Sequence, residues 1–376
     1  MALTMTRRRW QGAGALAVAA ASVAGALVWL SGSDDRALDE ACAGVLPVAE
    51  VRKVLGDGEV EVVDGGEDGS GAQGSFGDPE GNELSVRCTV TAAGTGRVAV
   101  TIRGVPRPQR EHGVDTLYTD SLYQDVLPAP VGHGWSGTFR SPSLRPGDDD
   151  GKATTTLALD CAKGRGGLLV TVETELTDAT VDDPAARPAF VRVATATAAG
   201  ADGHWGCGAR LGDPAPSVGL PVGPDEYEPL LDAEGTCRGV PPGARRLGIS
   251  TARETDRDRG LHEVCALGTR DGSPRFKAHA FYGPFAEEAR ARYTRDYDYE
   301  NVTPADKPAG RLGKSGYWTS ADCPGGGEPA LYMIELDGKD RQTRPLDLEY
   351  ERTALRAFAE RSAKARGCAV PVVPAG

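Results

Sequence analysis

Cysteine is the residue type whose spacing says most about chemistry in this 376-residue chain. The first four cysteines are separated by 46, 73 and 46 residues, and the last four by 28, 58 and 45 residues. Among them there is no CxxC motif and no zinc-knuckle spacing. The sequence therefore predicts structural disulfides rather than metal binding or thiol redox chemistry. The eight residues are Cys42, Cys88, Cys161, Cys207, Cys237, Cys265, Cys323 and Cys368.

Each set of four cysteines can pair in three ways. We expect a nested pattern, in which an outer pair joins the first helix of a domain to the end of its last helix. The inner pair would then join two strands. Loops of this length give about 4 kcal/mol of stabilisation in the chain-entropy account of disulfides. The expected pairs are Cys42–Cys207, Cys88–Cys161, Cys237–Cys368 and Cys265–Cys323.

The histidines form no recognised catalytic pattern, because no HExxH motif and no paired ligand spacing occurs among them. His262 and Glu263 stand beside Cys265 on a predicted strand, and we interpret them as packing or surface residues. The segment around Ser136 (GWSG) is close to a serine nucleophile turn but departs from GxSxG.

A tryptophan precedes the third cysteine of each set, and this pattern favours a structural role. The counterpart of Trp135-Ser136 in the second half is Trp318-Thr319, which keeps the aromatic residue and loses the serine. We therefore expect Trp135 and Trp318 to be core anchors of a repeated fold.

Two acidic clusters offer oxygen ligands of the kind that Ca²⁺ prefers. They are Asp148-Asp149-Asp150 and the alternating Asp296, Asp298 and Glu300. Neither fits a complete twelve-residue calcium loop, so we interpret both as solvated turns. The glycine-rich stretches 164–167 and 325–327 lack the lysine and hydroxyl of a phosphate loop. The sequence thus predicts no metal site and no cofactor.

The text around the cysteines indicates an internal duplication. The stretch LDEACAGVLP at Cys42 matches LDAEGTCRGVPP at Cys237, and LALDCAKGRGG at Cys161 matches TSADCPGGGEP at Cys323. Matched landmarks in the same order predict two tandem copies of one domain. The predicted domains span 41–207 and 236–368, with a Pro/Gly-rich linker at 208–235 and a tail at 369–376.

Each copy shows hairpin patterns flanked by helices. Alternating apolar residues predict hairpins at 84–103, 155–175, 262–281 and 318–336. Helical spacing predicts helices at 47–55, 285–293 and 346–366, and a helix at about 185–199 that ends at Gly200. Hairpins with helices at both ends predict the α+β class, an antiparallel sheet with helices packed on it in each domain.

The N-terminus predicts a membrane anchor. Residues 11–31 carry no charge and are long enough to span about 30 Å of hydrocarbon as a helix. The arginines at 7–9 place residues 1–10 in the cytoplasm and the chain after about 32 outside, with 32–40 as a linker. The alternative is a signal peptide that is cleaved, which would leave a secreted protein.

Net charge limits the class of partner. The chain carries a formal charge of −12 and has a pI near 5.0. Nucleic-acid binding depends largely on Lys and Arg that neutralise phosphates. We therefore expect no nucleic-acid partner.

The start of the first domain resembles a known group of proteins. Cys42-Ala43-Gly44-Val45-Leu46-Pro47, followed by Glu50-Val51 and Val54-Leu55-Gly56, is similar to the start of small exported domains of actinobacterial proteins of unknown function. Several of those domains resemble a PsbP-like α/β sandwich. The second copy departs from the pattern, because Arg245-Arg246-Leu247-Gly248 keeps only its ending. The resemblance implies an exported α/β domain and no specific chemistry.

These observations lead to a functional expectation. We expect a non-catalytic binding or interaction module, held at the membrane by residues 11–31, that contacts an envelope protein or a cell-wall ligand. The alternative is a hydrolase with a site in or between the two domains. That site would draw on Ser136, His133 or the acidic clusters.

Overall fold

The chain folds into two antiparallel sheets with helices packed on them, which confirms the predicted α+β class. The computed structural model describes residues 35–64, 72–77, 84–105, 125–142, 151–162, 166–244, 246–295, 307–312, 316–324, 329–337 and 347–374. The predicted segments 1–10 and 11–31 lie outside these ranges. Within them, no helix combines the length and the apolar character needed to cross a bilayer.

In the described part of the first half there are eight strands and three α-helices. Residues 35–44 form helix α1, and α2 (Val48–Leu55) and α3 (Arg187–His204) follow along the chain. The strands are β1 (Val60–Asp64), β2 (Ala72–Gln73), β3 (Ser85–Ala92), β4 (Gly96–Val105), β5 (Ala129–Pro130), β6 (Gly137–Arg140), β7 (Lys152–Asp160) and β8 (Gly167–Leu176). They form sheet 1 in the order β1-β3-β4-β8-β7-β6-β5, and β2 also pairs with β3.

In the described part of the second half there are seven strands, two α-helices and a short 3₁₀ helix (Leu230–Asp232). The helices are α4 (Pro284–Arg295) and α5 (Leu348–Arg366). The strands are β9 (Glu228–Pro229), β10 (Ile249–Glu254), β11 (His262–Thr269), β12 (Pro274–Phe281), β13 (Ala309–Arg311), β14 (Tyr317–Ala321) and β15 (Ala330–Leu336). They form sheet 2 in the order β13-β14-β15-β12-β11-β10-β9.

Six strands of each sheet follow the same path. The order β1-β3-β4-β8-β7-β6 of sheet 1 corresponds to β10-β11-β12-β15-β14-β13 of sheet 2. All ladders of both sheets are antiparallel, and both halves end in a long helix. A shared strand order of this kind is what a duplicated domain would produce.

All eight cysteines form disulfides, but the expected nested pairing is wrong. The pairs are sequential: Cys42–Cys88, Cys161–Cys207, Cys237–Cys265 and Cys323–Cys368. The sheet order explains why. Cys88 lies on β3 and Cys161 follows β7, so two strands separate them, which corresponds to about 14 Å at the usual spacing between strands. A disulfide requires Cα atoms within about 7 Å. The same two-strand gap separates Cys265 from Cys323.

The hairpins and most helices agree with the sequence patterns, but two features differ. Residues 35–40, which were assigned to the linker 32–40, are helical as part of α1, and Leu38 is fully buried in the first core. One helix end also differs. The predicted end at Gly200 is wrong, because α3 continues to His204. A Cβ atom at Gly200 would lie 2.9 Å from the carbonyl oxygen of Val45. Gly200 therefore permits close approach of α3 to the chain after α1. The closing helix α5 ends as predicted at Gly367, which has a φ of 69°.

Each sheet covers its own helix with one face. The inner face of sheet 1 packs against α3 in a core that includes Val100, Val170 and Phe190. The inner face of sheet 2 packs against α5 in a core that includes Tyr332, Ile334 and Phe358. Alternate residues on the strands therefore point away from these helices, toward the other half.

The outer faces of the two sheets meet, and we call this contact the seam. On the side of sheet 1, the seam contains Leu169 with Ala158 and Val105; on the side of sheet 2 it contains Leu261 and Phe281. Helix α4 covers the neighbouring part of the outer face of sheet 2 with Phe285, Ala286 and Ala289, which pack against Trp318 and Met333. The layers therefore run α3, sheet 1, sheet 2, α5.

The segment 208–235 is more than a linker. It buries Ala215 and Val218 in the first core and Leu230 in the second. Val222 pairs with Leu127 through two backbone hydrogen bonds of 2.8 and 3.1 Å. The Pro/Gly-rich composition predicted a linker, and it carried no information about the packing of this segment against both halves.

Candidate functional site

The residues of the hydrolase alternative do not form a serine–base pair. His133 lies in the turn before β6 with a φ of 55°, and its Nε2 lies 2.8 Å from the carbonyl oxygen of Ser217. That ring nitrogen therefore engages the backbone rather than the hydroxyl of Ser136. The backbone of Ser136 is held by β7, because its carbonyl oxygen accepts a hydrogen bond from Ala158 N at 2.9 Å.

Both tryptophans are buried, but they occupy different cores. Trp135 packs in the core between sheet 1 and α3, and its Nε1 donates to the carbonyl oxygen of Asp213 at 2.8 Å. Trp318 lies on β14 and packs into the outer face of sheet 2 together with α4. The two residues are therefore anchors, but they are not structural equivalents.

The acidic clusters 148–150 and 296–300 and the glycine stretch 325–327 lie outside the described residues. In the described parts of the chain, no group of three or more His, Cys, Asp or Glu side chains is placed to hold a metal ion.

The most unusual polar arrangement lies at the seam, where two buried histidines of sheet 2 face each other. His262 on β11 and His279 on β12 are 3% and 2% exposed. His262 Nε2 lies 2.9 Å from His279 Nδ1. Both rings stack near Phe281, with ring centroids 4.6 Å and 5.6 Å away. Charged side chains from both halves bracket the pair.

Arg140 of sheet 1 and Glu335 of sheet 2 stand at the two ends of this pair. Arg140 Nη2 lies 3.3 Å from His262 Nδ1, and Glu335 Oε1 lies 3.6 Å from His279 Nε2. Arg140 also lies over the ring of Phe285 on α4, 5.5 Å from its centroid. A guanidinium, two imidazoles and a carboxylate thus form one line across the seam.

The protons of this line are fixed by its first member. A guanidinium can only donate hydrogen bonds, so His262 Nδ1 must accept and the ring proton must lie on Nε2. His262 Nε2 then donates to His279 Nδ1, and the proton of His279 must lie on Nε2, toward Glu335. Both imidazoles are therefore neutral in this arrangement, each as its Nε2 tautomer.

The electrostatic environment also favours a neutral His262. Burial holds the pKa of His262 well below its ordinary value, and the neighbouring His279, Arg140 and Lys277 lower it further. Lys277 is itself paired with Asp337, with Nζ 3.3 Å from Oδ1.

A second buried polar cluster lies on the other face of β11. Glu263 is 2% exposed, and its Oε2 accepts a hydrogen bond from Ser362 Oγ of α5 at 2.5 Å. Because a serine hydroxyl has a single proton, Tyr282 must donate to Ser362 Oγ across their 2.5 Å contact. The guanidinium groups of Arg366 and Arg257 lie 3.5 and 3.7 Å from the Glu263 carboxylate.

The tyrosine of this cluster is held in its neutral form. Burial raises the pKa of Tyr282 well above its ordinary value, and the nearby Glu263 raises it further. Arg366 lies over the ring of Tyr282, 3.9 Å from its centroid, and donates to the carbonyl oxygen of Gly260. The cluster therefore joins α5 to the loop that precedes β11, and its buried serine is part of a structural network.

Sequence reasoning missed His279 and Arg140 as partners of His262. The available signal was the hairpin 262–281, in which residues 262 and 279 occupy the same face because strand periodicity is two. Its register pairs His262 with Phe281 and Val264 with His279, which brings the two imidazoles together diagonally. No local pattern indicated that sheet 1 would cover this face.

No family model, curated protein sequence or solved structure matches this chain.

Proposed function

We propose that this chain is an extracytoplasmic binding module, anchored to the membrane by residues 11–31, whose two halves act as one body on a partner or ligand of the cell envelope. The observation that carries this proposal is the set of four disulfides, which occupy corresponding places in the two halves. Disulfides persist in oxidising compartments outside the cytoplasm. The similarity of residues 42–56 to exported actinobacterial domains supports the same location.

A binding role is favoured over catalysis by the position of the reactive groups. His262, His279, Glu263 and Ser362 are at most 3% exposed, and their hydrogen bonds are directed at one another. A catalytic base or nucleophile must reach its substrate within hydrogen-bond distance. These four side chains instead support a structural role.

The accessible polar surface is the part of the outer face of sheet 1 that lies beyond the seam. The cross-strand register aligns three rows along this face. They are Arg87, Thr101 and Thr171, then Thr89, Ala99 and Glu173, then Thr91, Arg97 and Glu175. Arg87, Thr91, Arg97 and Glu175 are exposed. Such a flat face carries both signs of charge and several hydroxyl groups, and it is the surface that we assign to the partner.

Photo-crosslinking in intact cells tests this proposal. A photoreactive amino acid at Thr91 or Glu173 would contact the partner, whereas the same residue at the exposed Arg356 of α5 would not. We expect a discrete crosslinked product from the first two positions and none from the control. Equal crosslinking at Arg356, or no product at all, would contradict the proposed surface.

The location requires its own measurement. Alkaline phosphatase, which needs disulfides to be active, can be fused after Gly376 of the full chain. An active fusion in the membrane fraction supports the anchor, and an active fusion in the medium supports cleavage and secretion. An inactive, soluble fusion would overturn the extracytoplasmic location.

A further inference from the structure

The line Arg140–His262–His279–Glu335 joins the two halves at a place where an added proton has no partner. Arg140 belongs to sheet 1, whereas His262, His279 and Glu335 belong to sheet 2. We propose that the two histidines form a proton-operated latch, which holds the sheets together when both rings are neutral and releases the seam when either ring is protonated.

The hydrogen-bond directions carry this inference. A proton added to His262 Nδ1 would point at the N–H group of Arg140, 3.3 Å away, and would replace an attractive contact with the repulsion of two cations. A proton added to His279 Nδ1 would point at the N–H of His262, 2.9 Å away. In either case the first proton taken up breaks a bond of the line.

A shift of tautomers does not relieve this conflict. If His262 gave up its Nε2 proton to accommodate a protonated His279, its remaining proton would lie on Nδ1 and face Arg140. With Arg140 donating to His262, either place for an extra proton therefore leaves one N–H group facing another within the line. Only separation of the seam would allow water to solvate a charged imidazole at this depth.

Among the described residues, the charged groups nearest to His262 are cationic, and the carboxylate of the line lies at its far end, beside His279. Arg140 approaches from β6 and Lys277 from β12, and both are cationic. Glu335 on β15 is 3.6 Å from His279 Nε2, a nitrogen that already carries its proton. Lys277 is neutralised by Asp337, and the buried Glu288 lies on α4, three residues beyond the Phe285 that stacks on Arg140.

The seam has the contacts that a latch would control. Leu261 N donates to Thr138 Oγ1 at 2.8 Å, and Gly137 N donates to the carbonyl oxygen of Arg259 at 3.1 Å. These two bonds cross between the halves directly beside His262. These two hydrogen bonds are the contacts between the halves that lie nearest to the line. We therefore expect them to open first when the line breaks.

The direction of the pH dependence follows from linkage. Burial, with the neighbouring His279 and Arg140, holds the pKa of His262 in the closed state well below its ordinary value of about 6.5, to which it returns when the seam opens to water. The open state therefore binds more protons below about pH 6.5. The latch is fully effective above that pH and weakens as the pH falls. For each proton taken up on opening, the equilibrium constant for opening rises by up to tenfold per pH unit.

Hydrogen exchange of the full chain in detergent tests the latch. Amide exchange, corrected for its intrinsic pH dependence, is measured between pH 7.5 and 5.0 in peptides that cover 255–261 and 135–139. Strand β4 serves as an internal reference. We expect protection at the two seam segments to fall below pH 6.5, by up to tenfold per unit, while β4 stays protected.

Three variants distinguish the latch from general acid sensitivity. His262→Gln and His279→Gln retain a donor and an acceptor but cannot become cationic, so we expect a flattened pH dependence. His204→Gln replaces an exposed histidine and should behave as wild type. Wild-type exchange that is independent of pH, or a wild-type slope in both seam variants, would overturn the proposal.

A second measurement keeps the test decisive if both seam variants are open at pH 7.5. In wild-type protein with ¹³C-labelled histidine, two ring resonances should keep the shifts of a neutral imidazole for as long as the seam is protected. If all five histidines titrate with ordinary midpoints while the seam is still protected, the latch does not exist.

Discussion

His262 and Glu263 are neighbours on β11, and their side chains point to opposite faces of sheet 2. His262 faces Arg140 across the seam, whereas Glu263 accepts a hydrogen bond from Ser362 of the closing helix. One dipeptide therefore connects the first half of the chain, through sheet 2, to the last helix. The contribution of each side can be measured separately.

Replacement of the buried carboxylate should be strongly destabilising. Glu263→Gln leaves Arg257 and Arg366 close together without the negative charge that they share. Loss of one member of a buried ionic group costs about 3 kcal/mol or more. We expect urea unfolding at pH 7 to show a loss of this size. The control is Glu360→Gln, which breaks the exposed Arg356–Glu360 pair on α5. It should change the free energy of unfolding by less than about 0.5 kcal/mol. Similar values for the two variants would contradict the buried network.

The disulfide pairing can be tested without any mutation. Trypsin places the eight cysteines on eight different peptides, and residues 37–52 carry Cys42 while residues 88–97 carry Cys88. We expect a non-reduced digest to contain 37–52 linked to 88–97, and 153–163 linked to 193–210. A link between 37–52 and 193–210 would instead restore the nested pattern. The same digest reports on the second half through the peptides 260–270 and 367–376.

The N-cap of the closing helix should be measurable with a pair of variants. Asp347 Oδ1 accepts from Tyr350 N at 3.0 Å, and its other oxygen pairs with Arg246. Asp347→Ala removes both contacts and should cost about 1 kcal/mol, whereas Asp347→Asn keeps the cap and should cost less than half of that. Equal losses would assign the effect to the ion pair rather than to the cap.

The contribution of Asp347 should also depend on pH. The hydrogen bond from Arg246, with that from Tyr350 N, lowers the pKa of Asp347 below its ordinary value. A carboxyl group with a lowered pKa stabilises the folded state above its unfolded pKa of about 3.9, and this stabilisation is lost as the pH falls toward the folded pKa. We therefore expect the difference between wild type and Asp347→Asn to shrink in urea titrations below pH 4.

The anchor Trp135 leaves no room for a side chain at Gly212. A Cβ atom there would meet Cγ and Nε1 of the indole at 2.6 Å. Gly212→Ala should displace the ring from its hydrogen bond to Asp213 and destabilise the protein by about 1–3 kcal/mol. Gly203→Ala, in the last turn of α3 with open space around it, should be neutral or stabilising by up to about 1 kcal/mol. Intrinsic tryptophan fluorescence during urea unfolding measures both.

The sequence predicted the local parts of this fold better than the contacts between them. The hairpin 262–281 and the stop at Gly367 follow from residue periodicity and from glycine geometry, which act within a few residues. The disulfide partners depend on which strands are neighbours in the sheet, and cysteine spacing alone carries no such information. The role of Gly200 was likewise misread, because its close neighbour Val45 is remote in the sequence.

The seam was beyond sequence reasoning for a related reason. Leu169 and Ala158 occupy outward positions among Thr154, Thr156 and Thr171. From the sequence, the outer face of these strands is therefore expected to be exposed to solvent. Only the position of sheet 2 decides which part of that face is covered. His262 was interpreted as a packing or surface residue because its partners Arg140 and His279 lie on two other strands.

The sequential disulfides also determine how the protein would respond to a cut. Each bridge closes a loop within one half, and none connects residue 207 or an earlier residue to residue 237 or a later one. A protease that cleaves within 208–235 would therefore leave two fragments joined only by non-covalent contacts across the sheets. With the proposed latch, a single nick followed by acidification would separate the two parts while every sulfur stays oxidised.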